Sequence, residues 1–318
     1  MALDHDKIRK TIRELRKALK HNSQWRSPDH VHDLRTRSRR LEAGMRALTL
    51  DQEQSGNNLL KTITRIFKPA GKVRDMDVLT SFVFDLSIDG RDSGVARLLE
   101  HLHEKRQKSA LKLHARIAKH GKAIREGLKQ CSSRLPGNSD STEVQRLQSN
   151  ATAFALELCN ELAAWPRLTV ANMHPYRLKL KELRYTLQMA EGNDSPFVTM
   201  LEEITDAIGA WHDWDTLLKI TTDVLKRDTT CTLPKAIHST ASAKLRDALL
   251  LANTMRKKYL SNEAHKSHEL QKTTLSESVL SAVATLASPS SSARLRASKA
   301  AAHSPQPVAT RSSILENQ

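Results

Sequence analysis

The stretch HDLRTRSRRLEAGMRAL, residues 32 to 48, decides how this chain reads. Four arginines fall in its first nine residues. Leu34, Leu41, Met45 and Leu48 nevertheless supply an apolar side at helical spacing, and Ser27-Pro28-Asp29 upstream is a start signal. The spacing predicts a helix over about Pro28–Leu48. His32, Arg35, Arg39 and Arg46 lie at offsets 0, 3, 7 and 14, close to one face. Like charges on neighbouring turns cost roughly a few tenths of a kcal/mol per pair, which an anion would relieve. A row of guanidinium groups suits bidentate contacts to phosphate oxygens, and the leading histidine adds a donor that gains charge as pH falls.

The same arrangement recurs in HPYRLKLKELRYTLQMA, residues 174 to 190, where His174, Arg177, Lys181 and Arg184 take offsets 0, 3, 7 and 10. Downstream, GKVRDMDVL (71 to 79) matches GAWHDWDTL (209 to 217), 39 and 35 residues after the respective histidines. Two motifs recurring in the same order at similar spacing imply an internally duplicated helical bundle.

Composition agrees. Gly and Pro total 20 of 318 residues and aromatics are 4%, which leaves few turn and strand formers and points to an all-α fold. The net charge of +16 concerns partners: the chain should attract polyanions. Cys131, Cys159 and Cys231 are too few and too scattered for a disulfide framework or a CxxC metal site, so a reducing compartment is expected. The N-terminus shows no apolar secretory core and no window approaches a membrane span, so a cytoplasmic protein with no membrane partner is expected.

Outward from the two motifs, the periodicity predicts a first helix over about Asp6–Lys20. Its basic stripe Arg9, Arg13, Arg16 and Lys20 sits within about 60° beside the apolar stripe. A third helix over about Gly56–Phe67 should break or kink at Pro69 and Gly71, with a short helix from about Val73; Lys61, Arg65, Lys68 and Lys72 form another stripe at i, i+4, i+7 and i+11. DGRDSG reads as a loop before a long helix over about Val95–Cys131. Then come a helix to about Trp165, the second histidine-headed helix after Pro175, helices over about Pro196–Ile208 and through Leu225, and a last one over about Ser239–Tyr259. These divide the chain into an N-terminal half at 1–131, a linker at 132–142, a C-terminal half at 143–269 and a disordered Ser/Ala-rich basic tail at 270–318.

Each basic stripe has a bland reading as a solvated face, but repetition in register favours anion binding. Asp75, Asp77, Asp213 and Asp215 are read as structural, capping a helix or orienting a neighbouring Arg or His, rather than as metal ligands or acid–base catalysts. No Walker loop, GxGxxG or GxSxG elbow occurs, so neither catalytic residues, a cofactor nor a metal is expected. Two other functions remain open: a nucleic-acid-binding protein, which the same electrostatics would allow at low salt, and, more weakly, a metal-dependent phosphohydrolase.

VHDLRTRSRRL with GKVRDMDVL, and MHPYRLKLKELRY with GAWHDWDTL, resemble the conserved histidine α-helical domain (CHAD) family over roughly residues 5 to 260. The resemblance implies two pseudo-symmetric bundles of four main helices around a basic central groove or pore. It also implies binding of inorganic polyphosphate without catalysis, on polyphosphate granules. The basic stripes and the two motifs together make Arg9, Arg13, Arg16, Lys20, His32, Arg35, Arg39, Arg46, Arg65, Lys68, Lys72, His174, Arg177, Lys181 and Arg184 the residues expected to hold the polymer. Glu42 departs from the pattern, standing opposite Arg184 of the second copy. The second half is also less basic, with nine acidic residues against three Lys or Arg over 191–228.

Overall fold

Asp4 opens the first helix, its carboxylate accepting from the backbone N–H groups of Asp6 (2.9 Å) and Lys7 (3.1 Å). Helix α1 (His5–Ala18) then buries Ile8, Ile12 and Leu15 along one stripe. The structure, a computed structural model, describes residues 4–20, 27–86, 93–135, 141–190, 195–226, 228, 231–260 and 277–287. Within them the regular elements continue as α2 (Pro28–Ala47), α3 (Gln54–Leu86), α4 (Ser93–Arg134), α5 (Ser141–Ala163), α6 (Val170–Leu187), α7 (Pro196–Val224), α8 (Leu233–Met255), a π-helical turn (Arg256–Leu260) and α9 (Glu277–Ala287). The chain is all-α, as its composition implies. The loop around DGRDSG and the stretch 288–318 lie largely or wholly outside the described residues.

Three helices ignore the breakers their sequences carry. Pro69 sits inside α3 and Pro175 inside α6. An interior proline costs about 3 kcal/mol, but the buried stripe Ile63, Ile66, Ala70 and Val73 runs unbroken past Pro69. Each fully buried Ile or Leu returns about 1.5–3 kcal/mol, so packing wins over local propensity. Likewise Met173 and Tyr176, both wholly buried, hold α6 together around Pro175, and the helix starts five residues before it. In α7 the stripe Phe197, Leu201, Ile204, Ile208 and Trp211 passes through Gly209, giving one helix where two were expected.

The C-terminal segment differs too. Residues 277–287, expected within a disordered tail, form α9, which packs on α5 and α7. Its buried Val279, Ala282 and Val283 fall at i, i+3 and i+4, a short stripe masked by the surrounding Ser/Ala-rich composition.

The packing repeats with an offset of four helices. α1 lies on α2, α2 on α3 and α3 on α4; α5 lies on α6, α6 on α7 and α7 on α8. The halves meet where α2 packs on α6 and α3 on α7. One large apolar cluster draws on both halves. A smaller one joins the far ends of the α3–α4 and α7–α8 pairs through Met76, Leu79, Val83, Leu102, Trp214 and Leu217. There the rings of Phe82 and Trp214 stack at 4.5 Å, 8° from parallel. Between these two clusters the helices α2, α3, α6 and α7 enclose a polar cleft.

Candidate anion-binding site

The cleft has a volume of about 570 Å³, and each half contributes a histidine and an arginine from one helix facing a glycine on the next. Arg35 crosses from α2 to α3, donating to the Gly71 carbonyl (3.2 Å) and to Asp75 Oδ1 (3.0 Å). A Cβ on Gly71 would lie 3.8 Å from the Arg35 Cζ. In the other half Arg177 of α6 crosses Gly209 of α7 more closely. Its Nε donates to the Thr205 carbonyl at 2.8 Å, and a Cβ on Gly209 would stand 2.4 Å from its Nη2. This explains the two sequence motifs together. At Gly209 the glycine makes room for Arg177 of the histidine-headed helix, whereas Gly71 has space to spare beside Arg35, and in both halves an aspartate one turn later, Asp75 or Asp213, supplies opposing charge.

Around this frame stand His32, Arg39, Arg74, His174, Lys181 and His212, with Phe67 and Tyr185 as aromatic walls. Arg39 lies over the Phe67 ring, its Cζ 4.2 Å from the centroid, and also pairs with Glu42 at 3.0 Å. Arg74 and Lys181 make no hydrogen bond or ion pair among the described residues. The rings of His174 and His212 approach to 4.6 Å, and His174 Nδ1 is sealed from solvent with no hydrogen-bond partner there. Asp75, Asp206 and Asp213 also line the cleft, against five Arg or Lys residues.

This crowding makes protonation costly. Burial, reinforced by Arg177, Arg184 and Arg35, pushes the Lys181 ammonium down to about 7. Burial and Arg74 hold His32 below its ordinary value, with Asp33 opposing. Burial, His212 and Arg177 do the same to His174. Burial also lowers Arg177, partly offset by Asp213 and Asp206. The site is preorganised for negative charge that the protein itself supplies only in part.

Six of the residues expected from the sequence converge here: His32, Arg35, Arg39, His174, Arg177 and Lys181. The others lie elsewhere, for identifiable reasons. Arg9 donates to the Leu135 carbonyl (3.0 Å), capping the end of α4, and its stripe-mates Arg13, Arg16 and Lys20 also stay outside the cleft lining. Arg46 is held by Glu42 (3.0 Å) and by Glu182 of α6 (2.7 Å). Arg184 is buried and paired with Glu202 at 3.0 Å. Arg65 and Lys72 are each two residues from a cleft residue, Phe67 and Arg74, which is about 200° around α3, and Lys68 is exposed with them.

The aspartates divide similarly. Asp75 orients Arg35; Asp77, nearly buried, is bound by Arg106 of α4 at 2.5 Å. Asp213 lies 3.5 Å from His212, and Asp215 pairs with the exposed Lys219 at 2.7 Å. Arg74 and His212 also line the cleft, although they fall outside the basic stripes. Their signal was their matching place three residues after Gly71 and Gly209. Among the described residues no cluster of three or more His, Cys, Asp or Glu is arranged to hold a metal, and no helix is long and apolar enough to cross a membrane.

A search of curated proteins returned no match. Among solved structures, the chain is similar to "PptA from Streptomyces chartreusis", with a TM-score of 0.55 and 15% identity over 81% of this chain and 100% of that one. It is also similar to the CHAD domain from the plant Ricinus communis, with a TM-score of 0.56 and 15% identity over 81% of this chain and 94% of that one. At such identity these likenesses concern the fold. Residues 10–221, which include both motif pairs and the whole cleft, match the family model for the CHAD domain, and the chain belongs to that family.

Proposed function

We propose that this protein binds inorganic polyphosphate in the α2/α3/α6/α7 cleft, without turning it over and without a cofactor. The observation that carries the reading is the convergence of Arg35, Arg39, Arg74, Arg177 and Lys181 from three helices on one cleft, with Arg74 and Lys181 making no ion pair among the described residues. The family's link to polyphosphate points the same way. A flexible chain of phosphates carries a charge at every unit and presents oxygens to guanidinium donors at each step. On this reading the protein resides on polyphosphate granules in the cytoplasm.

Nucleic acid fits the cleft less well. Phe67 is covered by Arg39, and Phe82 by Trp214, so neither offers an open platform for a base. Binding of DNA or RNA is expected only at low salt, through charge alone.

The test replaces Arg39, Arg74 and Lys181 together by Gln, leaving Arg35 and Arg177 to hold the helices in place. Binding of polyphosphate should weaken at least about 100-fold, taking roughly 1 kcal/mol or more for each charged contact removed. Helicity should be unchanged. Unweakened binding with intact helicity refutes the assignment of the cleft. Release of orthophosphate by the wild-type protein refutes the absence of catalysis.

A further inference from the structure

The α3–α4 pair carries a second basic surface that the cleft does not use. Lys61, Arg65, Lys68 and Lys72 of α3 are all exposed and fall at i, i+4, i+7 and i+11. On α4, exposed Lys112, Arg116 and Lys119 fall at i, i+4 and i+7. The two helices run antiparallel: Leu59 lies against Gly127, and Asp77 binds Arg106. That register sets Lys68 across from Arg116 and Lys72 across from Lys112, to within a turn. His120, half-buried next to Lys119 on α4, has its Nε2 buried without a hydrogen-bond partner among the described residues. Burial, Arg65, Lys119 and Arg116 all lower its proton affinity.

Charged faces of ordinary helices mix signs and are laced with pairs four residues apart. This one is not. Residues 54–74 contain no Asp or Glu, nor do residues 105–125. None of the seven cations has an ion-pair partner among the described residues. The α3 row extends about 16 Å along the helix, long enough for several charges of a linear polymer. The face is rich in lysine, whereas the cleft is dominated by arginine. Hydrated point charges on flexible stems suit non-directional neutralisation of a dense polyanion more than fixed bidentate recognition.

We propose that this α3–α4 face is a second polyphosphate-binding surface, separate from the cleft, so that one molecule engages two stretches of polymer. The proposal rests on the polyphosphate reading of the cleft for the identity of the ligand. α3 is the shared wall: Phe67 and Arg74 line the cleft, and Arg65 and Lys72 face the other way. A long chain leaving the cleft reaches the second face by crossing the exposed side of α3. A second chain on that face joins two polymers through one protein. Short phosphates, which fill only the cleft, gain nothing from it.

The experiment uses the full chain and two variants: a face variant with Lys61, Lys68, Lys72, Lys112 and Lys119 changed to Gln, and the cleft variant already described. The probes are tripolyphosphate, long-chain polyphosphate and duplex DNA, with circular dichroism as the check on folding. The face variant should bind tripolyphosphate within about twofold of wild type but long-chain polyphosphate at least about tenfold more weakly, as loss of a linked second site predicts. Light scattering from polymer cross-linking by the wild-type protein should vanish in the face variant. Unchanged long-chain affinity and scattering overturn the proposal. So does a face variant that loses only DNA binding, which assigns the surface to nucleic acid. If the cleft variant keeps full tripolyphosphate affinity, the cleft reading fails, and the long-chain result still decides the face.

Discussion

Alanine at Gly209 and alanine at Gly71 should have opposite effects, although the two glycines occupy matching places in the two halves. Either change removes a glycine from a helix interior, worth about 0.5–1 kcal/mol in favour of the variant. At Gly71 the new methyl group meets Arg35 Cζ at 3.8 Å, an ordinary contact. The full gain should appear, raising Tm by about 1–1.5 °C for a chain of this size. At Gly209 the methyl group would stand 2.4 Å from Arg177 Nη2 and 3.1 Å from Nε and Cζ. Arg177 is anchored through its Nε to the Thr205 carbonyl at 2.8 Å, so moving it breaks a charged hydrogen bond worth about 1.5–3 kcal/mol. The balance is a loss of about 1–2 kcal/mol, with the guanidinium displaced from the cleft. Chemical denaturation and polyphosphate titration of both variants measure this. Gly71→Ala should be stabilised with near-normal binding, and Gly209→Ala destabilised with weakened binding. Equal effects at the two positions, or the reverse order, would refute the account of why position 209 carries glycine.

Further outcomes follow from the same contacts. Lys181 is pushed down to about 7 from an ordinary value of 10.5, so between those pH values the unfolded chain holds more protons, and its contribution to stability rises with pH across that window. A bound polyanion reverses the shift. Calorimetry at pH 8 in buffers of different ionisation enthalpy should therefore show uptake of up to about one proton, abolished in Lys181→Met; proton release would contradict this. Arg106→Met strands the nearly buried Asp77 carboxylate and should cost about 3 kcal/mol in denaturant unfolding, whereas Lys219→Met, breaking an exposed pair to Asp215, should cost less than about 1 kcal/mol. Ending the chain at residue 276 removes α9 and exposes the surface under Val279 and Val283, which should lower stability by about 2–5 kcal/mol; an unchanged midpoint would show that α9 adds nothing to the core.

The duplicated motifs could be read without coordinates because their chemistry is local and repeats. His32, Arg35 and Arg39, with His174, Arg177 and Lys181, share a helical face in both copies, and that face is the cleft. A helical wheel gives the direction of a side chain but not what it meets. Arg46 and Arg184 look like ligand contacts until Glu182 and Glu202 arrive from residues brought near by folding. The α3 row Arg65, Lys68 and Lys72 has the right period but occupies the flank opposite Phe67 and Arg74. Pro69, Pro175 and Gly209 are local breakers overridden by buried stripes that continue past them. Glu42, the discordant acid of the first motif, bridges Arg39 and Arg46 and withdraws charge from the first copy.

The most direct measurement is the dependence of polyphosphate affinity on salt, for the wild type and for the variant with Arg39, Arg74 and Lys181 changed to Gln, using a polymer short enough to occupy only the cleft. Five cations in the cleft predict a slope of log K against log salt of roughly −3 to −5, taking nucleic-acid coefficients per neutralised phosphate. The variant should bind more weakly and lose about 2 from that slope. A wild-type slope near zero, or a variant with the wild-type slope and affinity, would contradict the claim that polyphosphate is held by the cations of this cleft.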